Sequence, residues 1–96
     1  MAAGYLFVRS NITDPVRYER MRAVIVKLAE SYGARLLVRT PHVRVLHGSY
    51  DGLMLAVYEF PSMRDLEMYH DSPEYSQLEA DLIAAGVVDL WIVPGV

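Results

Sequence analysis

His47 and His70 are the side chains best suited to move a proton in this sequence. An imidazole titrates at about 6.5, so it can take and return a proton at working pH. Both are expected at the ends of secondary-structure elements, where side chains can reach the mouth of a pocket. A plainer reading makes His70 the end of a helix and His47 an ornament of an edge strand. His42 follows Pro41 at a break in the chain and is the weakest of the three. Around the imidazoles stand phenols and charges fit to hold a substrate: Tyr5, Arg39, Tyr58, Glu59, Tyr69 and Tyr75. The plainer reading of Arg39 and Glu59 is an ion pair at a subunit seam, and that of Tyr69 and Tyr75 is packing with the hydroxyl wet. Ser72 reads as a helix cap, since no nucleophile elbow surrounds it.

Several chemistries lack their residues. There is no cysteine, so disulfides, thiolate nucleophiles and cysteine-ligated zinc are excluded. No two histidines share a helix face at i, i+4, and no nucleotide-binding glycine motif is present. No metal or other cofactor is expected. Nine basic against 12 acidic residues give a net charge of −3. That balance, with aromatics that do not alternate with basic residues, argues against nucleic acid as a partner. No apolar run approaches the ~18 residues of a membrane span, and the start carries no leader-like pattern. A cytoplasmic location is expected.

The elements that must position these groups follow from periodicity. Tyr5 to Arg9 reads as a strand, with Tyr5, Phe7 and Arg9 on one face. Thr13-Asp14-Pro15 starts a helix, whose apolar face is Tyr18, Met21, Ile25, Leu28 and Tyr32, and Gly33 ends it. A second strand runs from Arg35 to Arg39, with Arg35, Leu37 and Arg39 sharing a face. Thr40-Pro41 interrupts it, because proline has no N–H to give a ladder. It is expected to resume from Val43 to His47, with a hairpin at Gly48 to Gly52. The third strand, Leu53 to Phe60, is nearly all apolar, as a central strand is. Ser62, with Asp65 three residues on, starts a second helix. Ser72-Pro73-Glu74 starts another at once, so a break is expected at Asp71-Ser72. Gly86 ends that helix, and Val87 to Val93 is the last strand.

The order is βαββαβ in one domain, residues 1–96: an α+β, ferredoxin-like sandwich with an antiparallel sheet and both helical segments on one face. The other face carries Phe7, Leu55 and Val57, and 53% of the chain is hydrophobic, more than a small monomer needs. A second copy of the chain is the simplest cover, and two facing sheets enclose a barrel-like pocket in each half.

Phe60-Pro61-Ser62, followed by Ser72-Pro73-Glu74-Tyr75, resembles the domain of unknown function 1330 family, and the resemblance extends over almost the whole chain. It includes Gly4-Tyr5, Thr13-Asp14-Pro15 with Tyr18, Arg35 with Leu37-Val38-Arg39, Leu46 and Gly48, Glu59-Phe60, and Gly95-Val96. The resemblance implies a homodimeric α/β barrel and no particular reaction. The wider superfamily includes cofactor-free monooxygenases, isomerases, cyclases and haem-dependent enzymes. Six residues at four places depart from the family's usual ones. His47 stands where the family usually has Glu, and Tyr69-His70 where it has Trp-Tyr. Thr40-Pro41 replaces paired Gly, and Leu82 a basic residue.

Together these readings point to a cofactor-independent small-molecule enzyme. Its expected step is proton transfer, as in a cyclisation or isomerisation, on a largely apolar metabolite such as secondary metabolism supplies. Cofactor-free oxygenation is a variant. The alternatives are a small-molecule-binding dimer without catalysis and a purely structural dimer whose cavity is filled by its own side chains.

Overall fold

The computed structural model describes residues 2–96. The order is β1 (Gly4–Ser10), α1 (Pro15–Ser31), β2 (Arg35–Thr40), β3 (Met54–Phe60), α2 (Met63–His70), α3 (Pro73–Ala85) and β4 (Val87–Pro94). The strands form one antiparallel sheet in the order β2-β3-β1-β4. This is the expected α+β, ferredoxin-like arrangement. The helices cover one face, where Leu6, Ile25, Ala29, Ala56, Tyr58, Phe60, Leu66, Tyr69 and Tyr75 make the core.

The helix starts follow from their caps. The Asp14 carboxylate accepts from the Arg17 N–H at 3.1 Å, ahead of Pro15. Ser62 accepts from the Asp65 N–H at 3.1 Å, and its hydroxyl donates to the Asp65 carboxylate at 2.8 Å. The break between α2 and α3 is held by Ser72, which accepts from the Tyr75 N–H at 3.2 Å and donates to the Tyr69 carbonyl at 2.7 Å. One buried hydroxyl thus joins two helices end to end and fixes Tyr69 and Tyr75 on either side of the join.

Two expectations fail. The second strand does not resume after Pro41: residues 41–53 are irregular, so there is no tight hairpin, and β3 starts one residue late at Met54. Local hydrogen bonds take the place of a ladder. The His42 N–H donates to the Thr40 hydroxyl at 3.0 Å, and the Val43 N–H to the Pro41 carbonyl at 3.1 Å. The second failure concerns the faces of β2. Its pairing with β3 slips between Leu36 and Val38, so Arg35 stands opposite Glu59 but Arg39 opposite Ala56. A bulge inserts one residue, and one residue is enough to turn every later side chain to the other face. Arg35 and Arg39 therefore lie on opposite sides of the sheet.

Gly86, between α3 and β4, has φ +124°, and a Cβ there would meet the Asn11 carbonyl oxygen at 2.1 Å. The Asn11 N–H in turn donates to the Gly86 carbonyl at 2.8 Å. Neither the dihedral nor the approach tolerates a side chain. Gly86→Ala is expected to lower the unfolding free energy by about 2–3 kcal/mol. Urea denaturation measures it, and a midpoint equal to wild type would contradict this close approach.

Candidate functional site

The pleat of the sheet divides the polar groups into two sets. On the face without helices, the Tyr5 hydroxyl donates to Glu59 at 3.0 Å and Arg35 donates to the same carboxylate at 2.7 Å. The hydrogen bond from Arg35, then that from Tyr5, holds Glu59 below the usual carboxylate range. Arg9, on the same face, pairs with Asp89 at 3.0 Å and with Asp51, and lies against the rings of Tyr50 and Trp91. The ion pair expected between Arg39 and Glu59 is not formed. The bulge in β2 gives Glu59 to Arg35 and sends Arg39 to the helix side.

On the helix side, α1, α3 and the sheet enclose a cavity of about 40 Å³. Its walls are mostly apolar, from Leu6, Ile25, Ala56, Leu82 and Leu90. Into it come four tyrosines from four elements: Tyr18 of α1, Tyr58 of β3, Tyr69 of α2 and Tyr75 of α3. The volume is room for a few waters. A ligand of aromatic size needs α1 and α3 to part. The cavity lies on the opposite side of the sheet from the face expected to meet a partner chain.

The four phenols share one property. The hydroxyls of Tyr5 and Tyr50 are hydrogen-bonded within the protein, but those of Tyr18, Tyr58, Tyr69 and Tyr75 make no hydrogen bond to another described residue and are left to water or a ligand. Tyr69 is only 1% exposed, and its ring is wedged among Phe60, Tyr75 and Tyr32, with centroids 5.2, 5.2 and 6.2 Å away. Burial, then the phenols of Tyr75 and Tyr58, pushes its pKa well above the ordinary value. Burial, with Glu79 adding to it, pushes Tyr75 up to about 12. Burial and Tyr18 raise Tyr58 against the opposing pull of Arg22 and Arg39. All three remain protonated at neutral pH, and each can donate to an acceptor oxygen.

At the α1 side of the cavity, Arg22 lines the wall and Glu19 accepts from it at 3.1 and 3.0 Å. Glu19 also accepts from Arg39 at 3.0 Å, and the Arg39 guanidinium lies 5.6 Å from the Tyr18 ring centroid. The bond from Arg22 is the main reason that Glu19 sits below the usual carboxylate range, with Arg39 adding to it against burial.

The candidate residues thus separate. Tyr58, Tyr69 and Tyr75 come together in the cavity, Arg39 stands beside it, and Tyr5 and Glu59 face the other way. His70 is half-exposed outside the cavity, with its ring 4.9 Å from that of Tyr75 and its Nδ1 3.7 Å from Asp71. His47 is exposed on the 41–53 loop and His42 is exposed near its start. The structure does not bring His47 and His70 into one pocket, because the expected strand that was to carry His47 is absent. Tyr18, Arg22 and Glu19 went unremarked as site residues. Tyr18, Arg22 and Ile25 follow at steps of four and three on the buried face of α1, where a polar group on an apolar stripe is the signal that could have singled them out.

A helix-backed antiparallel sheet in the order β2-β3-β1-β4 with one uncovered face defines a ferredoxin-like fold. Solved structures with the same fold include a dimeric α/β-barrel family protein from Mesorhizobium loti (14% identity, TM-score 0.62, covering 100% of this chain and 97% of that one). Another is a candidate antibiotic biosynthesis monooxygenase from Caulobacter crescentus (10%, 0.67, 97% and 87%). A third is a variant of a cofactor-independent oxygenase from Streptomyces nogalater (10%, 0.66, 96% and 90%). The chain belongs to the domain of unknown function family DUF1330, whose model matches residues 3–96. No curated protein matches it. At these identities the solved structures speak for the fold alone. Among the described residues no helix is long and apolar enough to cross a membrane.

Proposed function

We propose that the chain is a cofactor-independent enzyme that stabilises an oxyanion, such as an enolate, on a small and largely apolar metabolite. The observation that carries this reading is the set of four partnerless phenols around one apolar cavity. Neutral donors held at fixed positions in an apolar pocket favour negative charge that develops on oxygen, and removing one such donor typically costs about 10²–10³ in rate. Enolisation leads to isomerisation or cyclisation, and an enolate is also the electron-rich species that cofactor-free oxygenation requires. The cavity holds no base of its own, so the proton would pass by way of water to His70, whose ring lies 4.9 Å from that of Tyr75. His47 has no comparable route to the cavity. Two copies would pair through the uncovered sheet face, with Tyr5, Arg35 and Glu59 at the seam.

Deuterium exchange at the α-carbons of 2-indanone, followed by NMR in D2O, tests this directly. The protein is expected to accelerate exchange over buffer, and the Tyr58→Phe/Tyr69→Phe double variant to lose at least tenfold of that acceleration. His70→Ala is expected to slow exchange and His47→Ala to leave it unchanged. A second reading, a binding protein without catalysis, has one observation in its favour: no carboxylate or imidazole lines the cavity. It predicts that 2-indanone binds but exchanges at the buffer rate, which would overturn the enzymatic reading.

A further inference from the structure

We propose that Arg22 and Arg39, bridged by Glu19, are the recognition point for a carboxylate on the ligand, so that the substrate class is a small apolar carboxylic acid in its anionic form. This rests on the reading of the cavity as the ligand site and adds which end of the ligand goes where.

The charges make the case. Two guanidiniums and one carboxylate stand together, with both Glu19 oxygens engaged: Oε2 by Arg22 and Oε1 by Arg39. The cluster carries one surplus positive charge. The other pair nearby, Arg17 with Asp81 at 2.9 Å, is balanced. Arg39 Nε is buried without a partner among the described residues, so part of its planar donor fork is unsatisfied until an acceptor reaches it. Such a fork matches the two oxygens of a carboxylate. Glu19 already occupies the position that a carboxylate takes between the two arginines. It is the more exposed of the three, so it can swing to water when a ligand arrives. Arg22 lines the cavity itself, so a carboxylate held here leaves the ligand's apolar body among Leu6, Ile25 and Ala56 and turns its far end to the phenols.

The test is an amide NMR titration with benzoate and with benzamide, which has nearly the same shape and no charge. Benzoate is expected to bind at least fivefold tighter, with shifts at Leu6, Ala56 and Tyr58, and the preference is expected to shrink at high salt. Glu19→Gln is expected to tighten benzoate severalfold and leave benzamide unchanged. Arg39→Gln is expected to abolish the preference, and Arg39→Lys, which keeps the charge, to retain part of it. Equal affinity for the two probes with shifts in the cavity overturns the carboxylate assignment and leaves the cavity reading standing. So does benzoate binding with shifts confined to exposed Val16, Arg20 and Ala23 while benzamide shifts the cavity residues. If neither probe shifts the cavity residues, both readings fall.

Discussion

Tyr69→Ala is expected to lower the unfolding free energy by about 3–5 kcal/mol, the usual cost of emptying a buried aromatic site. Tyr69→Phe is expected to stay within about 1 kcal/mol of wild type, or to gain. The contrast follows from where each part of the side chain lies. The ring is wedged among Phe60, Tyr75 and Tyr32 at the join of α2 and α3. The hydroxyl makes no hydrogen bond to another described residue. A domain of this size has about 5–15 kcal/mol of stability in all, so the Ala variant should unfold well below wild type in a thermal or urea experiment. The Phe variant separates the two roles: it keeps the packing and loses the donor. If Tyr69→Phe were strongly destabilising, the hydroxyl would have a structural partner, and the case for a ligand-facing phenol would fail at its centre. A stability that rises while 2-indanone exchange falls would mark a group kept for function at a cost to the fold.

Phe7→Asp is expected to split the dimer proposed above into monomers. Phe7 stands opposite Val57 on one side and Trp91 on the other, in the middle of the uncovered face. Trp91 is 46% exposed and Val93 40%, much for large apolar groups on one sheet. A carboxylate pressed into such an interface has no partner there, and the cost of about 3 kcal/mol or more raises the dimer dissociation constant by roughly two orders of magnitude. Sedimentation at low micromolar concentration should give about twice 10.9 kDa for wild type and the single-chain mass for the variant. Circular dichroism should be unchanged, because Phe7 lies outside the helix-side core. A monomeric wild type would remove the dimeric reading altogether.

The local signals were the legible ones. Asp14, Ser62 and Ser72 cap the helices that their positions announce, and the break at Asp71-Ser72 falls where two starts follow each other. The faces of β1 and β3 follow simple alternation. The course of residues 41–53 was not legible, because five residues of strand-like composition, Val43 to His47, say nothing about whether a ladder partner is there to receive them. Nor was the bulge in β2, which depends on how Arg35 and Thr40 both find their partners on β3.

That bulge decided the site. By itself the sequence determined the βαββαβ order, the caps, the apolar excess on one sheet face and the supply of phenols, since each is written in residues a few positions apart. His47 and His70 drew attention first because their chemistry is legible in isolation. Only the tertiary structure decided which polar groups meet. It separated the two imidazoles, exchanged Arg39 for Arg35 as the partner of Glu59, and gathered Tyr18, Tyr58, Tyr69 and Tyr75 from four elements around one cavity. Convergence of that kind is set by strand register and helix packing over separations of tens of residues, and no local pattern in the chain records it.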